Sequence, residues 1–249
     1  METSTIFWGE VIGTFLLILL GVGVNANVLL MQSKGRQSGW IVTCFGWGFA
    51  VAVAVYVVGW ASGGHLNPAV TLGLTVIGKS AWDLLPTYWG GQMVGAFLGA
   101  VGAWLVYYPH WGATRDAETK LVCFATKPAI RKFGWNFITE CIATAVLMIG
   151  ILGIYDQHNG LGAGVGPYLV GILIVAIGLC LGGPTGFAIN PARDLGPRIA
   201  HALLPMPWKG SSDWAYCWIP IIAPLLGSVL GAWLYQAAIV SMYTVGDFQ

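Results

Sequence analysis

The chain has 249 residues, of which 57% are apolar and 8% charged, and its mean hydropathy is +0.74. A water-soluble domain carries about 25% charged residues and about 45–50% apolar ones, so this composition excludes an ordinary soluble fold and points to a lipid bilayer as the solvent. A net charge of +1 without a basic block or an acidic tail gives no electrostatic footprint for nucleic acid or an anionic lipid surface.

A helix rises about 1.5 Å per residue and the hydrocarbon layer is about 30 Å thick, so about 20 mostly apolar residues cross it. Six stretches qualify, at roughly 6–29, 40–60, 86–107, 134–154, 166–182 and 217–240, the fifth short and glycine-rich. The first begins at Ile6 with no basic stretch or small-residue cleavage site, and it reads as a retained span. An even number of spans leaves both termini on one side. Between the second and third spans, and again between the fifth and sixth, lie apolar segments at about 67–77 and 190–201, each opening with Asn-Pro-Ala. Both are too short to cross. Asparagine is a favoured N-cap and proline suits the first helical position, so each dipeptide starts a half-helix.

The halves repeat each other. Glu10-Val-Ile-Gly-Thr14 is matched by Glu140-Cys-Ile-Ala-Thr144, and Gly95-Ala-Phe-Leu-Gly99-Ala100 by Gly227-Ser-Val-Leu-Gly231-Ala232. Three spans per half turn the second half upside down in the bilayer, with broken helices meeting near the midplane. The expected fold is therefore an all-α membrane protein, a single domain over 1–249 with six transmembrane helices, two re-entrant half-helices and repeat halves of about 1–118 and 130–249. Backbone that does not span is tolerated at that depth only where it is buried or lines a cavity.

On these residues the chain resembles the aquaporin superfamily: His65-Leu66-Asn67-Pro68-Ala69-Val70 and Asn190-Pro191-Ala192-Arg193 are similar to its paired signatures, and the likeness covers nearly the whole sequence. The resemblance implies a passive channel, a homotetramer with one pore per subunit, a multi-pass protein of the cytoplasmic membrane with both termini inside, and no cofactor. Two half-helices meeting at their N-termini would set positive dipole ends and the Asn67 and Asn190 amides at mid-pore, opposing cations and protons. By similarity to the family, the carbonyls of Gly63, Gly64, His65, Leu66, Gly186, Phe187, Ala188 and Ile189 would supply acceptors along the path.

Water-selective members narrow their filter with a histidine beside the arginine, whereas glycerol facilitators leave that position open among aromatic rings. Aligned on the two motifs, the filter positions are Trp47, Gly178, Phe187 and Arg193, which resemble the glycerol set, as do Asp194, Arg198 and the Pro220-Ile221 pair. Two aromatic faces suit a CH backbone while Arg193 and carbonyls bind the hydroxyl edge. The expected solutes are glycerol and other small uncharged molecules with some water. The same fold would also serve mainly water, urea or a protonated weak acid.

Glu10 and Glu140 are the acidic residues well inside apolar spans, and an intramembrane carboxylate suggests proton or cation coupling, which leaves a coupled secondary transporter as the reading from another class. Their recurrence beside both re-entrant loops favours support of the loop amides instead. His65 reads as a structural hydrogen-bonding residue, the series Gly91, Gly95, Gly99 as a close helix crossing, and the five scattered cysteines as buried apolar thiols. No metal-ligand spacing, nucleophile and base pairing or cofactor motif occurs, so no metal site and no enzyme are expected. The cations conflict with the family's orientation: Lys79 alone falls in a loop it would place inside, while Lys34, Arg36, Arg115, Lys120, Lys127, Arg131, Lys132 and Lys209 fall outside, against the positive-inside rule.

Overall fold

The computed structural model describes residues 2–162 and 164–242. Ten α-helices follow in order among them: α1 Thr3–Leu29, α2 Trp40–Ser62, α3 Pro68–Val76, α4 Leu85–Val106, α5 Tyr108–Ala113, α6 Ala117–Phe124, α7 Phe133–Ile154, α8 Gly166–Leu181, α9 Pro191–Leu203 and α10 Ile219–Tyr235, the last running into a π-helical turn Gln236–Val240. The fold is all-helical, with six membrane-crossing helices (α1, α2, α4, α7, α8 and α10) and two half-helices, α3 and α9. Five of the six, counting the turns that flank α4 and α10, are long and apolar enough to cross by themselves; α8 has 16 residues and spans only about 24 Å. The crossing helices are apolar on all sides, as helices in lipid are. Their outward faces carry exposed Ile41, Phe49, Val57 and Trp60 on α2 and Trp135, Ile138 and Ile142 on α7.

Glycine sets how closely the helices approach. A Cβ on Gly91, Gly95 or Gly99 of α4 would stand 2.7, 2.4 or 2.6 Å from the carbonyl oxygens of Phe7, Val11 and Phe15 on α1. The same contact recurs in the second half, where a Cβ on Gly227 or Gly231 of α10 would meet the Cys141 and Ala145 carbonyl oxygens of α7 at 2.2 and 2.5 Å. Small residues thus let backbones touch where lipid offers no hydrophobic drive to pack helices.

The far end of the bundle, opposite the start of α1, is covered by α5, α6 and the segment 204–218. Asp116 caps α6 by accepting from the Thr119 amide at 2.7 Å. Cations that the sequence assigns to loops are built into this cover. The buried Lys120 donates to the Pro207 carbonyl, Lys209 donates to the Ala202 and Leu204 carbonyls at 2.6 and 2.8 Å, Arg131 pairs with Asp213, and Lys127 lies 2.6 Å from Glu118. The cysteines depart from expectation in part. Cys44, Cys123 and Cys217 are buried, Cys141 is half-buried and Cys180 is exposed, since all sides of an apolar helix in lipid tolerate a thiol.

Candidate functional site

Both half-helices start as their sequences dictate. Pro68 and Pro191 occupy first-turn positions, where a missing N–H costs nothing. The Asn67 side chain accepts from the Ala69 amide at 2.9 Å, and that of Asn190 from the Ala192 and Arg193 amides at 3.0 and 3.1 Å. Each asparagine also reaches across the molecule: Asn67 Nδ2 donates to the Ile189 carbonyl and Asn190 Nδ2 to the Leu66 carbonyl, both at 2.8 Å. One N–H of each amide is used in this way, and an amide nitrogen carries two.

The residue before each asparagine has a left-handed backbone, φ 53° at Leu66 and 45° at Ile189, and Phe187 has φ 40°. A side chain at such an angle costs on the order of 1–3 kcal/mol, so the surroundings must enforce it. The buried carboxylates do so. Glu10 accepts from the His65 amide at 3.0 Å, the Leu66 amide at 2.7 Å, the Ser62 hydroxyl at 2.6 Å and the Gln92 side-chain amide at 2.7 Å. Glu140 accepts from the Ala188 and Ile189 amides, both at 2.9 Å. The His65 ring stacks on Tyr88 at 4.2 Å, and its Nδ1 lies 3.2 Å from the Thr71 hydroxyl.

Two cavities meet along the axis between the halves. One, of about 340 Å³, runs from Lys79 and Tyr155 past Asn67 and Asn190. It has Val51, Leu147 and Ile174 on its apolar side, and segments 63–66 and 187–189 supply its backbone edge. The other, of about 740 Å³, opens at the far end beside Arg36 and Lys127. Among the described residues, three side chains line both: Trp47, Phe187 and Arg193. They form the boundary between the cavities. The Arg193 guanidinium lies over the Trp47 ring at 3.8 Å from its centroid and donates to the Phe124 carbonyl at 3.2 Å. An apolar wall facing a strip of backbone, closed by one cation against an aromatic ring, can strip and re-bind a small neutral polyol, and among the described residues no carboxylate lines the narrower cavity.

Gly178, the fourth filter position read from sequence, lines neither cavity. It stands behind Phe187: a Cβ there would lie 3.0 Å from the tip of the Phe187 ring and 2.9 Å from Cys44 Sγ. It acts on the opening by letting Phe187 lie back. Of the eight expected lining carbonyls, those of Leu66 and Ile189 are the two already holding the opposite asparagine.

Three residues that the sequence reading missed brace the boundary. Asn25 accepts from the Trp47 indole N–H at 3.0 Å, Trp40 donates to the Gly178 carbonyl at 3.0 Å and packs edge-on against Phe187, and Gly21 abuts the Trp47 ring. An amide deep in an apolar span is costly unless bonded, and this was the available signal for Asn25. Trp40 carries no comparable mark.

Comparison with known proteins agrees with this geometry. The family model described as major intrinsic protein matches residues 2–235. The chain is 56% identical over 232 residues to the probable glycerol uptake facilitator protein of Thermotoga maritima, covering 93% of this chain and 98% of that protein. It is 54% identical over 234 residues to the glycerol uptake facilitator protein of Bacillus subtilis, covering 94% and 85%. The D/L-lactic acid transporter of Lactiplantibacillus plantarum is 40% identical over 228 residues, covering 90% and 93%. Among solved structures, the aquaglyceroporin from Plasmodium falciparum superposes with a TM-score of 0.88 at 32% identity, covering 98% of this chain and 100% of that one. With the paired half-helices, the crossed asparagines and a family match over nearly its whole length, the chain belongs to the major intrinsic protein family.

Proposed function

We propose that the chain is a passive channel of the cell membrane for glycerol and other small uncharged solutes, with some water, in which Trp47, Phe187 and Arg193, backed by Gly178, form the selectivity filter. The observation that carries this reading is the boundary between the two cavities, where, among the described residues, two aromatic rings and one arginine are shared and no histidine is. The similarity to proteins named glycerol uptake facilitators supports it. Asn67 and Asn190 orient the solute's oxygen at mid-path with their remaining N–H groups, and the carbonyls of 63–66 and 186–189 accept from its hydroxyls. Glu10 and Glu140 hold the loops. Their oxygens are engaged by backbone amides on both sides, which favours support over proton coupling.

The repeat halves are about 1–118 and 130–249, the subunit assembles as a homotetramer, and both termini face the cytoplasm. The orientation is supported by the far-end cover, which ties Lys120 and Lys209 to backbone carbonyls and Arg131 to Asp213. The positive-inside rule is a statement about cations in short loops, and these are held in folded structure. A second reading, passage of a protonated small acid, is favoured by the similarity to the D/L-lactic acid transporter.

Stopped-flow light scattering on proteoliposomes tests the proposal, with glycerol and lactic acid as solutes and with or without an imposed pH gradient. Rapid glycerol re-swelling indifferent to the gradient is the expected result. Water flow without glycerol flow overturns the filter reading, and glycerol uptake that follows the gradient replaces the channel with a coupled transporter.

A further inference from the structure

We infer that Gly21 and Asn25 of α1 form a seat that fixes the Trp47 ring and thereby sets the largest solute the pore passes, which makes Asn25 a positioning residue for the filter. The inference rests on the filter reading above. Gly21 and Asn25 are four residues apart and share one face of α1. At Gly21 a Cβ would stand 2.2 Å from Trp47 Cζ3, so only a bare backbone admits the ring at that depth. One turn on, Asn25 Oδ1 takes the indole N–H at 3.0 Å. Trp47 therefore offers a solute ring surface and no hydrogen-bond donor, and its contribution to selectivity is one of shape.

The seat also reaches the other side of the opening. Asn25 Nδ2 donates to the Val122 and Cys123 carbonyls at 3.3 and 3.1 Å, and the next carbonyl, that of Phe124, accepts from Arg193 at 3.2 Å. Arg193 in turn covers the Trp47 ring at 3.8 Å. Trp47, Asn25, the end of α6 and Arg193 thus close a circuit in which each member limits the next. Asn25, 5% exposed at the edge of the wider cavity, has its oxygen and both amide hydrogens matched, so its burial leaves no polar atom unmet. Removing the amide frees the indole to swing and loosens the carbonyl strip that anchors Arg193. Adding a methyl at Gly21 does the opposite, pushing the ring toward the opening.

Proteoliposome uptake of glycerol, erythritol and xylitol, referred to water permeability in the same vesicles, tests this. Trp47→Ala comes first and should raise the erythritol-to-glycerol ratio; no change there sinks the filter reading itself. With that ratio raised, Asn25→Ala should raise it on the order of three- to tenfold, the weight of one lost hydrogen bond. Gly21→Ala should lower glycerol relative to water. In a Trp47→Phe background, which has no indole N–H, Asn25→Ala should raise the ratio less than it does in the wild type, since only the route through the Val122 and Cys123 carbonyls is left to lose. If Asn25→Ala does not reach the membrane, Asn25→Leu, of similar volume and without the acceptor, takes its place. Water and all polyols falling together at unchanged ratios, or Asn25 and Gly21 variants moving the ratio the same way, would overturn the seat while leaving the filter standing.

Discussion

Asn67 and Asn190 hold each other's loops: the amide of each donates to the carbonyl immediately before the other, at 2.8 Å in both directions. The two halves are therefore latched at the point where their half-helices begin. Replacing Asn190 by alanine removes the cap of two amides and the bond to the Leu66 carbonyl, a loss of about 1–3 kcal/mol from one cap and one hydrogen bond. Asn67→Ala removes the cap of a single amide and should cost less. Thermal unfolding in detergent should rank wild type above Asn67→Ala above Asn190→Ala, with glycerol flux falling in both variants.

Gly178→His should suppress glycerol more than water. Since a Cβ at this position already meets Phe187 and Cys44, the imidazole displaces the Phe187 ring into the opening. Gly178→Ala should give a smaller change in the same direction. Stopped-flow permeabilities of both solutes in the same vesicles check the order.

Arg193→Ala removes the cation shared by the two cavities and leaves the Trp47 face bare. Exclusion of monovalent cations should weaken, read as conductance in planar bilayers, while glycerol flux persists. Arg193→Lys keeps the charge but not the flat guanidinium that stacks and donates together, and should fall between the two.

Glu140→Gln should destabilise the second loop without creating or abolishing a dependence on the proton gradient. A glutamine turns an NH₂ group toward one of two amides that now find an oxygen at 2.9 Å, leaving a buried donor unmet at about 1–3 kcal/mol. The unfolding midpoint measures the first effect and glycerol uptake with and without a gradient the second.

Asp194→Ala should be among the most damaging single changes. Asp194 accepts from Arg198 at 2.8 Å and from the Thr126 amide and hydroxyl at 2.7 and 2.6 Å, and both members of the ion pair are fully buried. Leaving Arg198 without its partner costs about 3–5 kcal/mol. Lys127→Ala, which breaks a solvent-exposed pair with Glu118, should shift stability by about 1 kcal/mol or less. Detergent unfolding of the two variants side by side separates the cases.

Much of the fold was written in hydropathy and repetition. The spans, the two Asn-Pro-Ala starts and the glycine crossings lie within a few residues of their sequence positions, because each depends on local chemistry: length against bilayer thickness, a capping amide, a missing side chain. The last span begins at Ile219 and not near 217, since Tyr216 and Cys217 belong to a turn that is as apolar as the helix it feeds. Helices α5 and α6 do not show in hydropathy because they are short and one is polar, although the Asp116-x-x-Thr119 cap was there to be read. Gly178 shows a different limit. Alignment gives its position along the axis, but its distance from the axis is decided by Phe187, which packs in front of it. Asn25 likewise gains its meaning only from Trp47 and the end of α6, one far and one very far along the chain.

The crossed asparagines also order the birth of the protein. A ribosome delivers residues 1–118 well before residue 190, so the first re-entrant loop enters the membrane with the Leu66 carbonyl and the Asn67 amide lacking the partners that the finished protein supplies. The nascent first half must keep that loop wet or sheltered until its counterpart arrives, and the central passage forms only once the second loop completes the latch.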